Sequence, residues 1–493
     1  MLNRYKLILL FFAWLAAGKL AAQMVLPQII GNNMVLQRNK VVPIWGYASP
    51  GEKVTVSFSG QIKQAITAAN GHWQVVLDPL PASATPQTMT ITGNTFITLK
   101  NILIGEVWLC SGQSNMEYTM RKNSKVGKGV GEGLGPVDEL DFANNPDIRL
   151  FLVDRKQLPK PDTLHIRWSI AKDSALRSFS AAAYFFAKEL NRQLHVPVGV
   201  ISSAVPGSAI EPWLPGAVTN EKELAENHPP VKLDEQHPGK FYPDMIAPLS
   251  PYAIKGFLWY QGETNCFQNE SIEYTYKMHA LIEGWRRLWK EQNLPFFYVQ
   301  IAPFYYSQSV GKYPLTKETL PKFWEAQRLA LNLPHTGMIT TTDLIDTATQ
   351  LHPPFKWEIG RRLALLALAK TYGKALEYSG PVYQRMKAEG HKIELSFSHA
   401  ASGLQSKDGK PLNGFEVAGS DGKFLPAEAV IKGNKIVVSS KDVPHPLSVR
   451  FEWNETGQAN LFNKDGLPAV PFRTDHPLQF ISTLLVAVKN NQE

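Results

Sequence analysis

Leu103-Ile104-Gly105-Glu106-Val107-Trp108-Leu109-Cys110-Ser111-Gly112-Gln113-Ser114-Asn115-Met116 reads as an apolar strand that runs directly into a Gly-polar-Ser turn. The turn presents the Ser114 hydroxyl where the strand ends. Working outward, further strand-like runs fall at 148–153, 197–201, 254–260, 296–301 and 337–342, with helical patterns between several of them. One such pattern covers 180–194. In 274–290 Met278, Leu281, Trp285, Leu288 and Trp289 share a face, and in 355–372 Ile359, Leu363, Leu366 and Ala367 recur at helical spacing before Gly373. Strands alternating with helices predict an α/β fold, a mainly parallel sheet flanked by helices, over residues 102–376. Reactive groups of such a sheet collect at its carboxyl edge, where Ser114 lies.

The flanks read differently. In 23–101, Val54-Thr55-Val56-Ser57-Phe58 and Met89-Thr90-Ile91-Thr92 alternate apolar and polar residues, and Asn70-Gly71 is a hairpin signal. In 377–493, Ile393-Glu394-Leu395-Ser396-Phe397 alternates, and Asp408-Gly409, Asp421-Gly422 and Gly433-Asn434 punctuate short strands. The expected order is therefore an N-terminal β-rich, sandwich-like domain, the α/β domain, and a C-terminal β-rich region. A chain of 493 residues, 44% apolar and 19% charged with only two Cys, has the length for about three domains. The same figures exclude disorder, collagen and a disulfide-stapled miniprotein.

The formal net charge of +8 needs locating before it is interpreted. Arg4 and Lys6 precede an apolar run over 7–17, and Ala21-Ala22 supply small residues, the layout of a signal peptide over residues 1–22. That run is too short to span a bilayer. Cleavage after Ala22 would remove Arg4, Lys6 and Lys19 and no acid, which is three of the eight net charges. The rest forms no dense Lys/Arg block, so no nucleic-acid partner is expected. The mature chain is expected to be exported, periplasmic or extracellular, with no membrane span.

A serine hydroxyl becomes a nucleophile only when a base takes its proton. Of the twelve histidines, His352 lies in a loop after the strand at 337–342 and before the helix at 355–372, which places it at the same sheet edge as Ser114. By position alone it reads more readily as an ordinary loop histidine. Gln261, after the strand at 254–260, and Gly207, after the strand at 197–201, could join the Ser114 N–H in holding an oxyanion. The same residues also suit turns and caps. Trp213 follows the Gly207 loop closely enough to be a candidate sugar-binding surface, although aromatics at strand ends are more often core. The glycines alternating over 127–135 lack a Gly-Lys-Ser/Thr ending and read as a surface loop. Cys110 and Cys266 flank two of these segments and could pair or remain free thiols. No His or Cys cluster has ligand spacing, so neither metal nor cofactor is expected.

Taken together, Gly112-Gln113-Ser114-Asn115-Met116, Trp259-Tyr260-Gln261-Gly262-Glu263 and His352-Pro353 resemble the SGNH-hydrolase superfamily and, more narrowly, the sialate O-acetylesterase family of carbohydrate esterases. The tail Gly466-Leu467-Pro468-Ala469-Val470-Pro471-Phe472-Arg473-Thr474-Asp475 resembles bacterial members. The resemblance implies Ser114 as nucleophile and His352 as base. It implies Gly207 as the second-block glycine, although Val205-Pro206-Gly207-Ser208 departs from the usual paired glycines, and Gln261 where many members carry Asn. Members often place Asp three residues before the His, where this chain has Thr349. That leaves Asp343, Asp346, Glu263 or a main-chain carbonyl as the orienting group, or a Ser-His dyad. The implied partner is an O-acetylated glycan or sialic acid. Acetylxylan or another acetylated polysaccharide is the alternative substrate, and a non-catalytic carbohydrate-binding protein the alternative class.

Overall fold

The computed structural model describes residues 23–124, 139–153, 167–216 and 238–480. The segment 1–22, expected to be a signal peptide, and the glycine run 127–135 lie outside them. The central sheet holds β1 (Phe96–Gly112), β2 (Asn145–Leu152), β3 (Ser169–Ala171), β4 (Val198–Ala204), β5 (Gly256–Tyr260), β6 (Phe296–Val299) and β7 (Thr336–Ile339). Their order is β7-β6-β5-β1-β4-β2-β3. Every neighbouring pair is parallel except β2 with β3 at one end. The principal helices are α1 (Ala181–Leu194), α2 (Glu263–Phe267), α3 (Ile272–Trp289), α4 (Thr319–Leu329) and α5 (Lys356–Lys370). Ser180 starts α1 by accepting from the Ala183 N–H at 3.2 Å, the N-cap bond that its short hydroxyl side chain provides.

The long strand β1 ties the N-terminal region to this sheet. Its first half pairs antiparallel with Ser83–Thr92, its middle runs parallel to Val35–Gln37, and its second half enters the central sheet. The boundary expected between residues 101 and 102 thus falls inside one strand. Accordingly Val54, Trp73 and Ile91 share a continuous apolar core with Phe257, Trp285 and Trp324. Burial there is collective, because each large apolar side chain removed from water contributes roughly 1.5–3 kcal/mol.

The C-terminal strands pack a core of their own around Ile393, Leu395, Val417, Ile436 and Phe451. They also brace the segment that leads to His352. Gln458 donates its main-chain N–H to the Thr342 carbonyl and its side-chain amide to the Ile345 carbonyl, each at 3.3 Å. Arg473 pairs with Glu325 of α4 at 2.8 Å.

Gly112 ends β1 with φ +137, and a Cβ there would lie 2.1 Å from the Tyr260 carbonyl oxygen. Alanine must force β1 and β5 apart where the Ser114 turn begins. Gly112→Ala is expected to lose about 2–4 kcal/mol of unfolding free energy in a urea titration, while Gly216→Ala, with nothing within 4 Å of the added carbon, stays at the wild-type midpoint.

Candidate active site

Four strand ends converge at the carboxyl edge. β1 delivers Ser114, β4 leads to Gly207, β5 runs into Gln261 and Glu263, and the chain after β7 reaches His352. Ser114 opens a single helical turn, Ser114–Glu117, in which the Met116 and Glu117 N–H groups both donate to the Gln113 carbonyl. Its Oγ lies 2.9 Å from His352 Nε2. The sequence separation is 238 residues, so only the sheet brings the two together. Gly207 adopts φ +70, and a Cβ added there would have nothing within 4 Å, so there is open space beside its Cα.

An open cleft of about 590 Å³ lies against the histidine, lined by Tyr118, Lys122, Asp346, Gln350, His352 and Pro354. The Tyr118 ring lies 6.3 Å from the imidazole, centroid to centroid. The imidazole pKa is lowered to about 4, first by burial and then by the positive charges of Lys356 and Lys122. It is therefore neutral, the form a base requires, at every pH above that value.

None of the three carboxylates expected to orient the imidazole hydrogen-bonds to it. Asp343 is captured by Arg362 of α5 in a two-pronged bond of 2.8 and 2.7 Å, with Lys407 at 3.6 Å. A planar guanidinium matches a carboxylate in this way and leaves it no reason to reach further. Asp346 is exposed on the cleft rim. Glu263 is buried and accepts from the Asn115 side-chain amide. Among the described residues the hydrogen-bonded core of the site is thus a Ser-His pair.

Two further expectations are corrected. Gln261 is fully buried, and its amide nitrogen faces Gln113 Oε1 at 3.1 Å, the Ser208 carbonyl at 3.2 Å and Asn265 Oδ1 at 2.7 Å. With two hydrogens and three acceptors, it has none left for an oxyanion; it joins the loops after β1, β4 and β5 instead. Trp213 is also fully buried, with its indole N–H on Ser208 Oγ at 3.0 Å and its ring against Phe241 and Trp259. No face of it meets a sugar. Tyr118, which sequence reasoning passed over, has the place in the cleft that Trp213 lacks; its signal was its position one helical turn after Ser114. Cys110 and Cys266 are buried free thiols, and burial pushes both well above the ordinary thiol range. Among the described residues no group of three or more His, Cys, Asp or Glu could hold a metal ion, and no helix is long and apolar enough to cross a membrane.

A parallel sheet with helices around it and a serine and histidine meeting at its carboxyl edge defines a hydrolase of the SGNH type. Residues 104–369 match the family described as carbohydrate esterase, sialic acid-specific acetylesterase, and the chain belongs to that family. It is 28% identical to human sialate O-acetylesterase over 90% of this chain and 91% of that protein. The rat sialate O-acetylesterase is 27% identical over 90% and 93%. The crystal structure of a carbohydrate acetylesterase from Xanthomonas citri matches with a TM-score of 0.81 and 35% identity, covering 92% of this chain and all of that one. Like these relatives, the chain is an ester hydrolase.

Proposed function

We propose that this protein is an exported serine esterase that removes O-acetyl groups from sialic acid, with residues 1–22 as its signal peptide and the three regions 23–101, 102–376 and 377–493 forming the mature enzyme. The observation that carries the serine mechanism is the 2.9 Å contact between Ser114 Oγ and His352 Nε2. The hydroxyl donates to the neutral imidazole, and its oxygen attacks the acetyl carbonyl as the proton passes to Nε2. The Ser114 and Gly207 N–H groups receive the oxyanion, each such donor being worth about 3 kcal/mol in the transition state. Collapse breaks the bond to the sugar oxygen, which takes the proton from Nε2. Water then repeats the sequence on the acetyl-serine, and acetate leaves with Ser114 restored.

The cleft supports an acidic sugar as substrate. Tyr118 supplies an aromatic face and Lys122, 5.8 Å from that ring's centre, supplies a cation at the same wall. Acetylated polysaccharide such as acetylxylan is the second reading, favoured by the 35% identity to an enzyme described as a carbohydrate acetylesterase. Acetate release from O-acetylated sialoside, acetylxylan and p-nitrophenyl acetate separates them. The sialoside is expected to show the highest kcat/KM; a preference of tenfold or more for acetylxylan would transfer the assignment, and glycan binding without turnover of any ester would leave a binding protein.

A further inference from the structure

A lysine in the first turn of a helix ordinarily reaches solvent, yet Lys356, the first residue of α5, is fully buried. Its ammonium donates to Asn115 Oδ1 at 2.6 Å and lies over the rings of Tyr118 and Tyr260, at 5.1 and 4.9 Å. The other end of the same carboxamide, Asn115 Nδ2, donates to Glu263 and to the Leu351 carbonyl, the latter at 3.1 Å. Asn115 follows Ser114 in sequence and Leu351 precedes His352. This one side chain therefore ties the nucleophile's turn to the base's loop, with a cation at one end and a carboxylate at the other. The second oxygen of Glu263, Oε2, is buried without a hydrogen-bond partner, so the side chain to which the acid hydrogen-bonds is that of Asn115.

We infer that Lys356 is a positioning residue for the Ser114–His352 pair, locking the Asn115 bridge from one end while Glu263 holds it from the other. The inference rests on the serine mechanism proposed above. In a triad, an acid on the far imidazole nitrogen fixes the ring's orientation. Here the corresponding restraint comes from the serine side, through Asn115. Bonds with a charged donor or acceptor are about twice as strong as neutral ones and lose little to water in a buried site.

The lysine charge also acts on the base through space. The charged or titratable groups facing Lys356 are Glu263 from α2, Tyr260 from the end of β5, Tyr118 beyond the Ser114 turn and His352 from its own loop; Lys122 acts on His352 from the cleft wall. Burial lowers the Lys356 pKa to about 7, while Glu263 opposes that shift. Protonated Lys356 disfavours imidazolium, so its removal must raise the His352 pKa from about 4 toward the ordinary 6.5. The base is neutral above its pKa, so the acid limb of kcat/KM moves to higher pH.

The test compares Lys356→Met, Lys356→Arg and Lys356→Gln with wild type on p-nitrophenyl acetate from pH 3.5 to 8, with thermal melts to establish folding. Lys356→Met is expected to lower kcat about tenfold or more, as loss of a buried charge-assisted bond implies, to change KM less than about twofold, and to raise the acid limb. Lys356→Arg is expected to recover kcat in part and return the limb toward wild type. Wild-type kcat in a folded Lys356→Met protein, or a lower kcat with an unmoved limb, overturns the inference. If the methionine variant does not fold, Lys356→Gln, which retains only a neutral donor for Asn115, decides: a lower kcat together with a raised limb supports the inference, and a wild-type kcat or an unmoved limb overturns it. A Ser114→Ala protein that kept full activity would instead defeat the serine mechanism itself.

Discussion

Ser114→Ala is expected to fold with an unchanged melting temperature and to lose at least about 10³-fold in kcat/KM for any acetyl ester. The fold is spared because the Ser114 side chain makes one hydrogen bond, to His352, and the residue is only half-buried. The imidazole it leaves behind is neutral and borders the open cleft, so no buried charge is orphaned. Nothing nearby can replace the nucleophile. Cys110 lies within β1, is fully buried, and carries a thiol pushed far above the range in which thiolate forms. The residual rate reports only the oxyanion donors and substrate binding. A variant retaining more than about a tenth of wild-type activity would show that the bond is broken elsewhere. Acetyl-enzyme trapping separates the possibilities, since wild type should gain one acetyl group on Ser114 and the variant none.

The features legible in the sequence are those that depend on periodicity or on chain position. Six parallel strands and the helices at 180–194, 274–290 and 355–372 follow from apolar spacing, and the loops that bear Ser114, Gly207 and His352 follow from where strands end. Side-chain direction within those loops was not legible. Trp213 reads the same whether it faces a cleft or the core; what decides is Ser208, whose hydroxyl accepts the indole N–H from inside. Asp343 was a plausible partner for His352 until Arg362, nineteen residues on in a helix, came to face it. Gln261 has the chemistry of an oxyanion donor, but three acceptors from separate segments surround its amide. Lys356 was hidden by statistics, since a charged residue at a helix start is normally solvated. The boundary at 101 was obscured because β1 runs without interruption from the N-terminal strands into the central sheet.

Lys277→Met is expected to cost about 3–5 kcal/mol of stability near neutral pH, the usual consequence of leaving buried charge unpaired. Lys277 of α3 is completely buried and donates to Glu211 at 2.5 Å and to Glu270 at 2.6 Å. Asn265 completes the cluster by donating to both acids, and its carbonyl accepts from the Ile210 N–H at 3.0 Å and from Gln261 at 2.7 Å. Burial raises the Glu270 pKa to about 7 even with the lysine in place; without it, the cation that opposes that rise is lost. A carboxyl with a folded pKa above its unfolded value contributes least at high pH, because the folded state must give up a proton that it holds more tightly. The variant's deficit in urea should accordingly be larger at pH 8 than at pH 5. Against a typical total of about 5–15 kcal/mol, this loss is large enough to read directly as a shift in midpoint. It also reaches the active site, because Ile210 follows the Gly207 loop and Gln261 joins that loop to the Ser114 turn. kcat should fall even at temperatures where the variant remains folded, with Lys277→Arg recovering part of both losses. A wild-type midpoint for Lys277→Met at pH 8 would mean that the two acids already share a proton there and that the lysine is not what holds the loop.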